Sequence, residues 1–248
     1  MFEPRIYRQK METGRFKTFS VSYFETDLWI GVKSKSDHRN IKDFTLKKII
    51  ELRSILENYI SINPDFGKTL SPLSVDLKAP LFIQEMMVAA EKANVGPMAA
   101  VAGIFSEYVG KELERNFEID EIIVENGGDI YLNIKEPITI SIFAGKSVLS
   151  EKVGIKILPE FAPLGVCTSS GTIGHSFSFG KADAVMIVCK NTALADAYAT
   201  SFCNLIKKEE DIESIINKIS KSSDILSAAI ILNDKLGITG KFKLEIIK

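Results

Sequence analysis

The chain has only two histidines, one tryptophan and three cysteines in 248 residues. One histidine, His38, sits in the polar turn SKSDHRN, so no HExxH zinc helix can be built, and neither a GxSxG elbow nor a GxGxxG dinucleotide loop occurs. Phe66-Gly67-Lys68-Thr69 imitates the end of a phosphate-binding loop, but position 62, where the motif requires glycine, is isoleucine. Gly180-Lys181 fails as well, because Gly174 lies one residue too far upstream and Ala182 follows where Ser or Thr is needed. Cys167, Cys189 and Cys203 are odd in number and widely spaced within apolar runs, which excludes a disulfide framework or a zinc ribbon. They fit the reduced, buried thiols of a cytoplasmic protein. Charge of one sign is also lacking: 31 basic residues face 32 acidic ones. That balance gives no electrostatic attraction for nucleic acid or an anionic membrane. No apolar run approaches the ~18 residues of a membrane span, and MFEPRIYRQKMETGRFK has no apolar signal-peptide core.

What is present is an ordinary globular composition, 46% apolar and 25% charged, enough for a substantial core. The expectation is one domain over residues 1–248, with Gly96-Pro97 marking a junction near 95 where it could subdivide. Residues 16–33 are aromatic and β-branched and read as a hairpin turning near 25–27. Helical spacing of apolar residues follows over 42–60, then helices over 80–93 and 98–113, the last with a tightly packed, small-residue first half. EIIVE, NGG and DIYLNI read as strand, tight turn, strand; 138–144, 154–158 and 182–189 are further strands. Residues 165–174 read as loop, 211–221 as helix and 241–247 as a closing strand. Hairpins separated from runs of helix argue for an α+β fold with antiparallel sheets and packed helices.

Three segments carry the chemistry. Asn126-Gly127-Gly128-Asp129 is a hairpin turn, for which Asn-Gly is a strong signal; paired glycines also let backbone approach a ligand, with Asp129 as an acceptor. Cys167-Thr168-Ser169-Ser170-Gly171-Thr172 is hydroxyl-rich and is followed by Gly174-His175. It reads as a Ser/Thr loop, as an anion cradle, or as Cys167 or Ser169 activated by His175. NTALADAYATSFCNLI, residues 191–206, is an apolar helix carrying Asp196 and Thr200 on one face, with no Lys or Arg inside it. With Thr192 as N-cap, Asp196 stands at the fourth helical position, where the helix dipole stabilises a carboxylate by only ~0.3–1 kcal/mol. A hard cation such as Mg²⁺ is a better partner for a buried carboxylate.

VENGGDI, GVCTSSG and NTALADAYATSF, in this order, resemble the ApbE-like superfamily of FAD:protein FMN transferases. Its corresponding segments are a glycine pair before Asp or Asn, an ATSG turn and an ADALAT helix. The likeness runs from about residue 96 to about 206, while the N-terminal part resembles a cytoplasmic branch more than the transferases themselves. It implies a T-fold-like architecture and a flavin nucleotide, FAD or FMN, bound beside Mg²⁺. By the resemblance Asp196, Thr200 and the carbonyl of Ala99, in Gly96-Pro97-Met98-Ala99, would hold the metal. Asn126, Gly127, Gly128, Asp129, Thr168, Ser169, Ser170 and Gly171 would bind the cofactor, and His175 could move a proton. An acceptor protein is the implied partner, and a homodimer is admitted. Two departures stand out. The transferases' His-Asp-Pro-Gly segment has only His175 as a counterpart, and apolar Val101 or Ala102 replaces an upstream Asp. The sequence therefore leaves two functions open: an Mg²⁺-dependent enzyme that cleaves the FAD pyrophosphate and transfers FMN, or a flavin or nucleotide binder without catalysis.

Overall fold

The computed structural model describes Arg8, residues 14–172 and residues 179–247. Its strands and helices, in chain order, begin with the hairpin β1 (Lys17–Tyr23) and β2 (Thr26–Ser34) and the long helix α1 (His38–Ile62). Helices α2 (Leu81–Ala93) and α3 (Val101–Asn116) follow, then the hairpin β3 (Ile119–Asn126) and β4 (Asp129–Asn133). Strands β5 (Ile138–Ser141), β6 (Val153–Ile157), β7 (Leu164–Ser169) and β8 (Ala184–Cys189) lead into α4 (Thr192–Leu205) and α5 (Asp211–Ile219). The chain closes with β9 (Ile225–Leu232), β10 (Lys235–Gly240) and β11 (Leu244–Ile246).

Eight strands form one antiparallel sheet in the order β1-β2-β3-β4-β7-β8-β9-β10, and β11-β6-β5 form a second. The fold is α+β, as the sequence implies. The large sheet is the middle layer. Because side chains alternate along a strand, Ile122 and Val124 face a core shared with α1, α2 and α3, whereas Ile123, Leu132 and Val166 face the small sheet. Val185, Ile187 and Ile230 pack under α4 and α5. A sheet covered on both faces needs apolar residues at successive positions, so its central strands read as continuous runs.

Residues 165–169, expected to be loop, lie in β7, paired with β4 and β8. The glycine that suggested a loop answers a different need. A Cβ on Gly165 would stand 2.4 Å from Thr192 Cα, so glycine lets α4 lie against the strand. The expected helix over 98–113 divides into a 3₁₀ turn over Pro97–Ala100 and α3 proper. The hairpin β9–β10, unassigned from sequence, turns at Asn233, whose φ of 56° suits asparagine.

Arg15, Glu121 and the β4–β5 connection are tied by one buried carboxylate. Arg15 Nε donates to Glu121 Oε2 at 3.0 Å, and the amides of Lys135 and Glu136 donate to Oε1 at 2.6 and 3.1 Å. Burial alone would raise the pKa of Glu121, but Arg15 and the two amides outweigh it and hold it down at about 2. A depressed folded pKa contributes stability above the unfolded value, and that contribution is lost as pH falls through the folded one. Glu121→Gln should therefore lower the urea midpoint at pH 7, with the gap to wild type closing between about pH 4 and pH 2.

Candidate functional site

The glycine turn is the β3–β4 connection, with Gly127 at φ 68° and Gly128 at φ 103°. Gly128 donates its amide to Glu125 Oε1 at 2.7 Å and accepts from the Thr168 amide at 3.2 Å. Asp129 is paired with Cys167 across β4 and β7, and both side chains point to the helix layer. Asn126 is buried and donates from Nδ2 to the Ala102 carbonyl at 3.3 Å.

Asp196 enters from α4. The N-cap of that helix is Asn191, whose side chain accepts from the Leu194 amide at 2.8 Å, so Thr192 is the first helical residue and Asp196 the fifth. This corrects the expected cap and removes Asp196 further from its own helix dipole. Its partner is another helix. Asp196 Oδ2 accepts the Gly103 amide at 2.8 Å, in the first turn of α3, where Ala100 supplies no side-chain cap. The exchange runs both ways: Glu107 of α3, itself buried, accepts the Thr192 amide at 2.6 Å in the first turn of α4. Lys111 donates to the other Glu107 oxygen at 2.5 Å.

Helix α4 runs alongside β7. Thr192 lies against Gly165, and the charge of Asp196 bears on Cys167. Thr200 is half-buried. Among the described residues, the Oγ of buried Ser169 and Oδ1 of Asp129 have no hydrogen-bond partner. Ala99 lies in the 3₁₀ turn, packed on the core that includes Ala193 and Ala197 of α4.

Two buried carboxylates thus share one face. Burial raises the pKa of Asp196 to about 7, partly offset by the amides of Gly103 and Ala102. Burial, then the charge of Asp196, raises Asp129 well above the usual carboxylate range. Burial and both aspartates push the Cys167 thiol up as well, which disfavours its thiolate. Ser170 and Gly171 belong to the exit from β7: Ser170 Oγ accepts the Thr172 amide at 3.1 Å, and Gly171 donates to Ala182 O at 2.9 Å. His175 lies outside the described residues. Of the expected residues, then, Asn126 to Asp129, Thr168, Ser169 and Asp196 are adjoining. The sequence reading missed Gly103, Glu107 and Glu125. The two acids carried the same signal as Asp196, a charge inside an apolar segment.

The family described as "AbpE bacteria" matches residues 8–234. The chain belongs to this family. Among curated relatives, UPF0280 protein MJ1526 of Methanocaldococcus jannaschii is 39% identical over 229 residues, 90% of each chain. A UPF0280 protein of Methanococcus vannielii is 44% identical over 194 residues, 77% of this chain and 78% of the relative. The crystal structure of the ApbE protein from Thermotoga maritima superposes with a TM-score of 0.63, covering 90% of this chain and 96% of the other at 12% identity. Apo flavinyl transferase ApbE from Pseudomonas stutzeri gives 0.55, covering 92% and 96%, also at 12%. At that identity the likeness is one of fold, and it agrees with the architecture of this AbpE-family chain. Among the described residues no helix is long and apolar enough to cross a membrane.

Two outcomes follow for these two helices and the aspartate pair. A Cβ on Gly103 would stand 2.6 Å from Thr192 O and 2.9 Å from Asp196 Cβ, so Gly103→Ala must part α3 from α4. It should cost about 1–3 kcal/mol in chemical denaturation. Asp129 keeps a proton in the folded state that the unfolded chain has lost, so metal-free stability falls as pH rises above about 4. In EDTA at pH 8, Asp129→Asn should be more stable than wild type in chemical denaturation, with the gain vanishing near pH 4.

Proposed function

We propose that the chain binds a flavin dinucleotide with Mg²⁺ between the glycine turn and α4, and cleaves the pyrophosphate to transfer FMN to a protein hydroxyl or to water. The observation that carries this reading is the pair Asp129 and Asp196, two buried carboxylates on one face, with Asp129 Oδ1 unpartnered. Among the described residues, neither has a basic side chain as a hydrogen-bond partner or as a cause of its pKa shift. The donor set fits the ion. It is an oxygen set, and Mg²⁺ is usually held by one or two carboxylates together with substrate phosphates and water. Among the described residues no three His, Cys, Asp or Glu side chains are placed to hold a metal by themselves, so phosphate oxygens would complete the coordination. Asp196, Thr200 and the Ala99 carbonyl would supply the protein ligands.

When bound, the ion would neutralise the phosphates and the charge developing on the leaving group. The chain's own residues have separate tasks. Gly127 and Gly128 admit close approach of the backbone. Asn126 braces the turn against α3, and Ser169 offers a hydroxyl to the phosphates, with Thr168, Ser170 and Gly171 forming the rim. Burial of the aspartates keeps water from competing for the ion. His175 would deliver the proton. That the Pseudomonas stutzeri neighbour is a flavinyl transferase supports the reaction class.

A second reading, binding without turnover, is favoured by one observation: within the shortened GHSFSFGKAD only His175 has a counterpart in the transferases' His-Asp-Pro-Gly segment, and there is no proline. Incubation with FAD and Mg²⁺, followed by chromatography, separates the two. Release of FMN and AMP by wild type, reduced about 100-fold or more in Asp196→Asn, is the expected outcome. Tight flavin binding with no products supports the second reading. Absence of both binding and products rejects the site.

A further inference from the structure

Both aspartates of the site are tied to one turn of α3. Gly103 donates its amide to Asp196. Three residues on, the hydroxyl of Ser106 lies 2.8 Å from the Asp129 carbonyl and 3.0 Å from that of Ala102. Ser106 is fully buried. Serine is a mediocre helix former, and inside a helix its hydroxyl ordinarily turns back on the carbonyl four residues earlier. Here a second acceptor stands nearer, and a hydroxyl has one hydrogen to give. The Ala102 carbonyl already accepts Asn126 Nδ2, so the hydroxyl serves Asp129. Residues 103 and 106 share a helix face and lie ~4.5 Å apart along its axis. Helix α3 does not depend on this bond for its place. Gly110 lets the Tyr131 ring of β4 lie against the helix, and the Tyr131 hydroxyl donates to Glu114 Oε2 at 2.8 Å.

We propose that Ser106 is a positioning residue for the flavin site: by holding the Asp129 carbonyl one turn along α3 from the amide that holds Asp196, it sets the spacing of the two aspartates. The proposal rests on the flavin reading of the site. Asp129 follows Gly128, whose φ of 103° is open to glycine without strain, so the turn itself restrains the backbone weakly on that side. The bond from Ser106 restrains the other side. Two buried carboxylates repel, and a less tightly held Asp129 would yield to that repulsion. A ligand that spans both binds more tightly when they are already spaced for it.

The test is FAD affinity in Mg²⁺, read by fluorescence before products accumulate, in wild type, Ser106→Ala, Ser106→Cys and Thr45→Val. Thr45 is the matched control. It is buried in α1, and its hydroxyl makes a comparable bond to the Ile41 carbonyl at 2.8 Å, in contact with neither aspartate. Melting temperature is recorded for each variant, with the NMR shifts of the Asp129 carbonyl carbon and the Gly103 amide in metal-free protein. Ser106→Ala should raise the Kd about five- to tenfold and move the Asp129 carbonyl while the Gly103 amide stays. Ser106→Cys, which keeps a weak donor, should fall between it and wild type, and it carries the test if the alanine variant does not fold. Thr45→Val should melt lower and bind FAD within about twofold of wild type. Ser106 variants that melt lower yet bind FAD like wild type overturn the proposal and leave the flavin site standing. Equal losses of affinity in Ser106→Ala and Thr45→Val overturn it too, since general loosening would then explain both. Failure of wild type itself to bind FAD removes the flavin reading and this proposal together, and that pattern is distinct from the other two.

Discussion

Two helices that cap each other hold the site. Helix α3 lacks a side-chain cap of its own and takes one from Asp196 of α4, while α4 has its first amide taken by Glu107 of α3. Each carboxylate meets the amides that a helix N-terminus leaves without intrahelical partners, where the positive end of the dipole lies. Such a cap contributes about 0.5–2 kcal/mol at an ordinary site. Here both acids are buried, and losing either partner would strand a charge or an amide away from water. The contact requires glycine at 103, because backbone passes where a Cβ would be. The geometry of Asp196 is thereby fixed by something other than a ligand.

That distinction separates architecture from function. One oxygen of Asp196 is satisfied by α3, so the residue can stand in the fold without a cation. Asp129 is different. It faces Asp196 and Glu125 electrostatically and leaves Oδ1 without a hydrogen bond. A sequence selected for stability alone would place an apolar residue or an amide there. On the proposed reading, two buried carboxylates, of which Asp196 raises the pKa of Asp129, beside paired glycines, are an arrangement that a bound cation would relieve.

Much of the fold was legible because hydrophobic periodicity is local. The helix over 191–206, the strand-turn-strand around Gly127 and the separation of hairpins from helices all follow from spacing and turn residues. What was not legible depended on neighbours distant in sequence. Leu164–Ser169 looks like a loop because Gly165 and the hydroxyls break the strand pattern, yet the glycine answers α4 passing overhead. Ile225–Leu232 is apolar at nearly every position because both faces of its strand are covered, and periodicity cannot tell such a run from a buried helix. The question of what meets Asp196 was also answered from afar. The Gly103 amide is 93 residues away in the chain, and nothing in the composition of either helix announces it.

The same reasoning explains why acids rather than bases cluster here. The described ends of the site are Gly128, held by Glu125; Asp129; and Asp196, held by Gly103. Two of the three carboxylates face backbone amides, and such hydrogen bonds to an ionised group are stronger than neutral ones. The Gly128 and Gly103 amides are consumed within the site, so these two are not free to bind an anion directly. A phosphate brought to this face would meet negative charge unless a cation came with it. On the proposed reading, a cation–anion pair such as a metal-bound pyrophosphate is the ligand that would suit both the carboxylates and the glycine turn.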